Sequence, residues 1–189
     1  ASHPTFSVPE YEDALVDGLR RHVQPGDRVV VIGGGTGVTS VISARATGDK
    51  GYVKVYEGSK EMVSIARRTL ELNGVEQNTE VQHAVVGESL AVRGNNTEQN
   101  HYLVRPEDLS ECEVLELDCE GAEITILQGM HIRPRSILVE SHGLYGAPTN
   151  EVKRILRNKG YSIDHAQVAE SRAENFCIEN DIKVVYASR

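Results

Sequence analysis

Tryptophan is absent, phenylalanine occurs twice and cysteine three times in a chain of 189 residues. The thiols Cys112, Cys119 and Cys177 are odd in number and include no Cys-x-x-Cys pair, which excludes a fully paired disulfide framework and a zinc-ribbon ligand set. Reduced thiols in a cytoplasmic setting are expected. Positive charge is also scarce: 20 basic against 28 acidic side chains leave a net charge of −8, which argues against duplex nucleic acid as a partner. No apolar run approaches the roughly 20 residues needed to cross a bilayer, and the opening ASHPTFSVPEYED lacks a basic region followed by an apolar one. A soluble, cytoplasmic protein without a membrane partner is expected, and the composition says nothing about oligomeric state.

What is present is a single domain's worth of alternating elements, so one domain over residues 1–189 is expected, opened by a helical segment within 1–25. Tyr11, Ala14, Leu15, Leu19 and Val23 recur at helical spacing, with acids early and Arg20, Arg21 and His22 late, as the helix dipole prefers. After Pro25-Gly26-Asp27, the β-branched run at 28–32 reads as a buried parallel strand. Helix at 38–46, strand at 51–56, helix at 59–72 stopped by Asn73-Gly74, and strand at 79–86 continue the alternation. Residues 87–102 are polar and aperiodic, so a variable loop or hairpin is expected over 87–104, and within it the Asn95-Asn96-Thr97-Glu98-Gln99-Asn100 run suits either a lid or a plain surface loop. Strands at 113–117 and 136–140, helices at 122–129 and 149–159, and final strands at 161–165, 176–178 and 183–187 complete the reading. Because no helix is read after residue 160, at least one of the last pairs should be antiparallel, joined around Glu179-Asn180-Asp181. The expected fold is α/β: a three-layer αβα Rossmann-like arrangement whose mostly parallel sheet carries an antiparallel C-terminal edge hairpin.

The chemistry concentrates where strands end. In VVVIGGGTGVTS, Gly33, Gly34, Gly35, Thr36 and Gly37 follow the first strand, and missing side chains there let a ligand approach backbone N–H groups. Taken alone the loop is weak, because a tight turn needs glycine too. At the end of the second strand stand Glu57 and Gly58, where a carboxylate can accept from two ribose hydroxyls. A dinucleotide fingerprint would want Gly or Ala where Val38 stands, and no Lys follows the loop as a phosphate-gripping loop requires.

The stretch VLELDCEGAEITILQG at 114–129, with Val139-Glu140-Ser141-His142-Gly143 beyond it, closely resembles the FkbM-type methyltransferase family, in the class I methyltransferase fold. The resemblance also takes in the glycine loop, Glu57 and Ala84-Val85-Val86-Gly87, in the expected order. It implies S-adenosylmethionine as cofactor, with Gly33, Gly35, Thr36 and Gly37 lining it, Glu57 and Gly58 at the ribose, His83 and Ala84 flanking the adenine, and Asp118 near the methionine end. It further implies methyl transfer to a hydroxyl of a small molecule or glycan. One position departs from the family pattern: many class I enzymes carry an acid where this chain has Val31.

A hydroxyl acceptor must lose a proton, and Glu120, Glu140 and His142, expected at the carboxyl ends of adjacent strands, are the candidate bases. Each also has a structural role open to it: Glu120 as a cap on the helix near Gly121, His142 bonded to the turn before Gly143, Glu140 paired with Arg135. Asp118, Glu140 and His142 together suit a divalent ion that binds a diol, but their spacing has no strong ligand signature and no metal is assigned. Glu123, one turn inside the helix, reads as an ion-pair partner. Two other readings stand beside the enzyme: a binding or scaffold module that kept this fold without activity, suggested by Val31, and an NAD-dependent oxidoreductase, which lacks a Tyr-x-x-x-Lys pair.

Overall fold

Five consecutive residues, Arg28–Ile32, form the central strand β1, and its β-branched side chains are buried on both faces as a strand covered by helices on either side requires. In the computed structural model, which describes residues 10–87 and 102–189, this strand is the middle of an eight-stranded sheet. The elements before and around it are α1 (Asp13–His22), α2 (Val38–Thr47), β2 (Tyr52–Glu57), α3 (Lys60–Asn73), β3 (Thr79–Val86) and β4 (Tyr102–Val104). Then follow β5 (Val114–Leu117), α4 (Glu123–Gly129), β6 (Ser136–His142), α5 (Thr149–Asn158), β7 (Ser162–Val168), α6 (Glu174–Glu179) and β8 (Ile182–Ser188). The strand order is β4-β3-β2-β1-β5-β6-β8-β7, and the first six strands run parallel. β8 inserts between β6 and β7 and is antiparallel to both.

Local chemistry accounts for the element ends. Ser59 caps α3 by accepting the Met62 N–H at 3.4 Å, and Gly74 ends it in the left-handed region at φ 65°, where a glycine pays no Cβ penalty. The helix α5 turns Val152, Ile155 and Leu156 inward and its polar residues outward. Two cores result. Leu15 and Leu19 of α1, Val41 of α2, Val63 and Leu70 of α3 and Cys177 of α6 cover one face of the sheet, while Ile126 and Leu127 of α4 and Val152 and Leu156 of α5 cover the other. The three layers are those expected of the class I methyltransferase fold, with the antiparallel strands at its C-terminal edge.

Two assignments change. Residues 176–178, read as a strand, lie in the helix α6, which buries Cys177 alone and leaves Phe176 and Ile178 exposed. A helix therefore does separate the last two strands. Within 87–104, Tyr102–Val104 adds β4 to the sheet edge parallel to β3, so that pair is no hairpin. The proposed lid at 95–100 lies outside the described residues. Among the described residues, no helix is long and apolar enough to cross a membrane.

Candidate functional site

Parallel strands bring their carboxyl ends to one edge of the sheet, and there a cavity of about 570 Å³ opens above β1, β2, β3 and β5. That volume lies in the range of small-ligand sites. Gly33 and Gly35 form its floor, Glu57 and Gly58 one wall, Ala84 to Gly87 the next, and Asp118, Cys119 and Glu120 the side toward β6. Gly33 has φ 95°, and a Cβ on it would stand 1.6 Å from the Asp118 carbonyl oxygen, so the chain crossing there demands glycine. Gly35 has φ 48° with open space where its Cβ would go, which leaves room beside its backbone for a ligand.

Glu57 is the post that holds this loop. Buried at the end of β2, its Oε2 accepts the Gly35 N–H at 2.8 Å and its Oε1 accepts the Ser59 N–H at 2.6 Å. Each carboxylate oxygen retains a second lone pair for a ligand hydroxyl. Thr36, Gly37 and His83 stand outside the cavity lining. Gly37 packs against Ala66 of α3, where a Cβ would come within 3.0 Å of the Ala66 Cα, and the His83 Nε2 lies 3.0 Å from the Gly58 carbonyl oxygen, steadying the end of β2.

On the far side, β5 and β6 deliver a carboxylate and imidazole cluster. His142 is buried, and its Nδ1 lies 2.8 Å from Oε1 of Glu123, itself fully buried at the start of α4. Its Nε2 faces Glu140 Oε1 at 3.4 Å and Asp118 Oδ1 at 3.6 Å. Burial alone would push the imidazole down, but its hydrogen bonds with Glu123 and Glu140 and the charge of Asp118 prevail and carry it up to about 10. Burial raises the Asp118 carboxyl well above its ordinary range, with Glu140 adding to the effect and His142 opposing it.

The structural roles weighed for these residues resolve differently. Glu120 is not the cap of α4: Glu123 reaches back to accept the Cys119 N–H at 3.2 Å and the Gly121 N–H at 2.9 Å. Glu120 instead sits exposed at the cavity rim with φ 50°, an uncommon conformation for a side chain of its size. Arg135 pairs with Asp27 at 2.7 Å, not with Glu140, and His142 bonds to Glu123, not to the turn before Gly143. Glu123 is an ion-pair partner, as read, with His142 as its mate.

Sequence reasoning missed Tyr11 and Glu12, which line the cavity from the start of α1, and Met62, which does so from α3. Burial pushes the Glu12 carboxyl up to about 7, the charges of Glu140 and Glu170 adding to it against a hydrogen bond from Tyr11. The Tyr11 ring, counted on the apolar stripe of α1, carries the Arg172 guanidinium 5.1 Å from its centre.

Strand order, antiparallel C-terminal insertion and glycine-floored cavity together define the fold of S-adenosylmethionine-dependent class I methyltransferases. Solved structures of that class superpose over nearly the whole chain. A precorrin-6y C5,15-methyltransferase from Geobacter metallireducens matches with a TM-score of 0.63 and 14% identity, over 97% of this chain and 91% of that one. A ribosomal protein L11 methylase from Lactobacillus delbrueckii gives 0.62 and 14%, over 94% and 78%. An S-adenosylmethionine-dependent O-methyltransferase from Thermotoga maritima gives 0.59 and 15%, over 99% and 67%. In sequence, residues 2–89 match the model of the protein-L-isoaspartate(D-aspartate) O-methyltransferase family. A protein-L-isoaspartate O-methyltransferase of T. maritima is 43% identical over 51 residues, which span 27% of this chain and 16% of that relative.

Proposed function

We propose that this chain is an S-adenosylmethionine-dependent O-methyltransferase of the FkbM type, acting on a hydroxyl of a small molecule or glycan. The observation that carries the reading is the cavity itself. A glycine floor is anchored to a buried acid at one end, and Asp118 and Glu120 line the other, with Glu140 and His142 standing outside the lining beside Asp118. The residues fit the cofactor: Gly35 leaves open space over its backbone, Glu57 keeps lone pairs for ribose hydroxyls, and Ala84 to Val86 offer an apolar wall for the adenine. When bound, S-adenosylmethionine supplies an electrophilic methyl group.

The chain's own part is to align an acceptor and take its proton. Alignment supplies much of the acceleration in such a transfer, and a fixed base within hydrogen-bond reach supplies a further share. The bound cofactor would supply the methyl group, and the acceptor's hydroxyl proton would pass to a carboxylate of this chain. Of the three candidate bases, Glu120 faces the cavity directly, while His142, charged at neutral pH, has no free lone pair to accept with. Glu140 is bound up with His142 behind Asp118. We assign Glu120 as the base and Glu140 with His142 as the positioning group.

A second reading is methylation of a protein carboxyl group, favoured by the match of residues 2–89 to the isoaspartate methyltransferase family. The matched part holds the glycine loop and Glu57, which face the cofactor. Asp118, Glu120, Glu140 and His142 lie beyond it, so the likeness bears on the cofactor half and not on the acceptor. Calorimetry with S-adenosylhomocysteine, followed by assay of its release from S-adenosylmethionine over hydroxylated small molecules, glycans and an isoaspartyl peptide, tests both. Binding with turnover on a hydroxyl substrate supports the proposal, and turnover on the peptide alone favours the second reading. Binding without turnover on any acceptor would favour the scaffold module, and binding of NAD in place of S-adenosylhomocysteine would overturn the methyltransferase reading.

A further inference from the structure

Asp118, Glu140 and His142 come from the ends of β5 and β6, whose register sets Leu117 beside Val139 and so sets the next residues side by side. Each offers one ligand atom, and these atoms all lie within 4.8 Å of one another. For metal–ligand bonds near 2.1 Å, separations of 3.4 and 3.6 Å from Nε2 to the two carboxylates subtend about 110° and about 120° at a common centre, so each pair can reach one ion and a small inward turn of the carboxylates narrows the angles. The imidazole is already held for that task. Its Nδ1 is engaged 2.8 Å from the buried carboxylate of Glu123, which points Nε2 toward Asp118 and Glu140, the orientation a metal-bound histidine commonly has once its Nε2 proton is displaced.

Glu116 is a separate pointer to a missing cation. It lies on β5 two residues before Asp118 and is only 1% exposed, and neither of its carboxylate oxygens makes a full hydrogen bond, the Thr39 side chain being a polar neighbour. It is within electrostatic reach of both Asp118 and Glu140. Burial without a partner holds such an acid in its neutral form, and a cation set beside it would favour ionisation. Yet among the described residues no Lys or Arg forms an ion pair with Glu116, Asp118, Glu123 or Glu140, and His142 is the one basic group set among them.

We propose that Asp118, Glu140 and His142 bind one divalent first-row cation of the Mn²⁺ class beside the cavity, which Asp118 alone of the three lines, with Glu123 holding His142 in its metal-binding tautomer. Two carboxylates and one imidazole mix the donors that Mg²⁺ and Mn²⁺ prefer with the one that Zn²⁺ and Fe²⁺ prefer, which suits Mn²⁺. The cation takes the place of the proton on Nε2. Three protein ligands leave coordination positions for water or for an acceptor oxygen, since Asp118 lines the cavity. The site stands on its own geometry, and only its use for the acceptor rests on the methyl-transfer reading.

The test titrates MnCl₂ into the full chain, stripped with EDTA and desalted, and follows the electron paramagnetic resonance signal of free Mn²⁺. The proposal expects one equivalent to disappear from the signal. Binding should weaken at least tenfold in His142→Asn and Glu140→Gln, and about tenfold in Glu123→Gln, as loss of an outer carboxylate does. Circular dichroism checks folding, and Glu140→Gln, the least buried of the three changes, decides the matter if the others unfold. An unchanged signal at millimolar Mn²⁺, or retention that Glu140→Gln leaves intact, would overturn the site. Calorimetry with S-adenosylhomocysteine on the same samples separates the two ideas. Cofactor binding without Mn²⁺ sinks only the cation site, and Mn²⁺ binding without cofactor sinks only the methyltransferase reading.

Discussion

Replacing Glu57 with Gln tests whether one side chain both orders the glycine loop and holds the cofactor. The carboxylate now accepts the Gly35 N–H at 2.8 Å through one oxygen and the Ser59 N–H at 2.6 Å through the other. Gln keeps the shape but turns one acceptor into an NH₂ group, which then meets a backbone N–H donor to donor. A hydrogen bond to a charged group contributes about 1.5–3 kcal/mol, and an orphaned buried donor costs a similar amount. In the free protein that loss appears as a stability drop of about 2 kcal/mol, read by urea unfolding. In the complex a ribose hydroxyl loses its charged acceptor as well, so affinity for S-adenosylhomocysteine should fall by about 3 kcal/mol, roughly a hundredfold. Glu61→Gln, on the exposed face of α3, is the control and should change neither quantity. If Glu57→Gln loses stability yet binds S-adenosylhomocysteine within threefold of the parent chain, Glu57 serves the loop alone and the ribose assignment fails.

The two loop glycines should respond differently to a single methyl group. Gly33→Ala drives a Cβ into the Asp118 carbonyl and should cost about 3 kcal/mol or more in urea unfolding, whereas Gly35→Ala meets nothing, costs about 1–2 kcal/mol for its left-handed backbone, and should lose cofactor binding while remaining folded. Burial pushes the Glu116 carboxyl from its ordinary 4.5 up to about 8, so the stability tied to its neutral form is complete below the lower value and lost as pH rises through the upper one. With EDTA present, the parent chain should lose at most about 3 kcal/mol relative to Glu116→Gln between about pH 5 and about pH 8, and parallel unfolding profiles for the two would refute that. Burial likewise pushes the Cys112 thiol up to about 12, and alkylation with iodoacetamide followed by mass spectrometry should leave Cys112 unmodified in the folded chain at neutral pH.

How far the fold could be read in advance depended on how long each apolar pattern ran. Arg28–Ile32, buried from Val29 to Ile32, and Thr79–Val86, which buries Val81, Ala84 and Val86, are runs long enough to read and bounded by turn residues, so their limits were legible almost to the residue. β4 was not, because Tyr102-Leu103-Val104 is too short a run to show a period and adjoins a long polar stretch. Phe176-Cys177-Ile178 misled for the opposite reason. Three β-forming residues in a row look like a strand, but the short run carries no period, and only the inward turn of Cys177 shows it to be helical. In the site, strand-end motifs pointed to Glu57, Asp118, Glu140 and His142 individually. What they could not convey was distance: that Glu123 backs His142, or that Arg135 belongs to Asp27, follows from the register of β5 against β6 and the approach of α4. Tyr11 and Glu12 were hidden in plain pattern, since an aromatic on a stripe and an acid at a helix start each have an ordinary explanation.

Register also changes what Val31 means. By its sequence pattern the chain lacks the acid that many class I enzymes carry at that place, and Val31 itself is fully buried among aliphatic neighbours. Across the ladder, however, its partner on β5 is Glu116. Residues paired between parallel neighbours share a face and a depth in the sheet, so a carboxylate still lies at that level beneath the glycine loop, one strand over. Two residues further along β5 stands Asp118, whose carbonyl oxygen already meets Gly33. The acid missing from β1 is therefore not missing from the layer. It stands one strand nearer β6, where Glu140 and His142 lie, so the acidic side chains of this layer gather toward β6 more than under the loop.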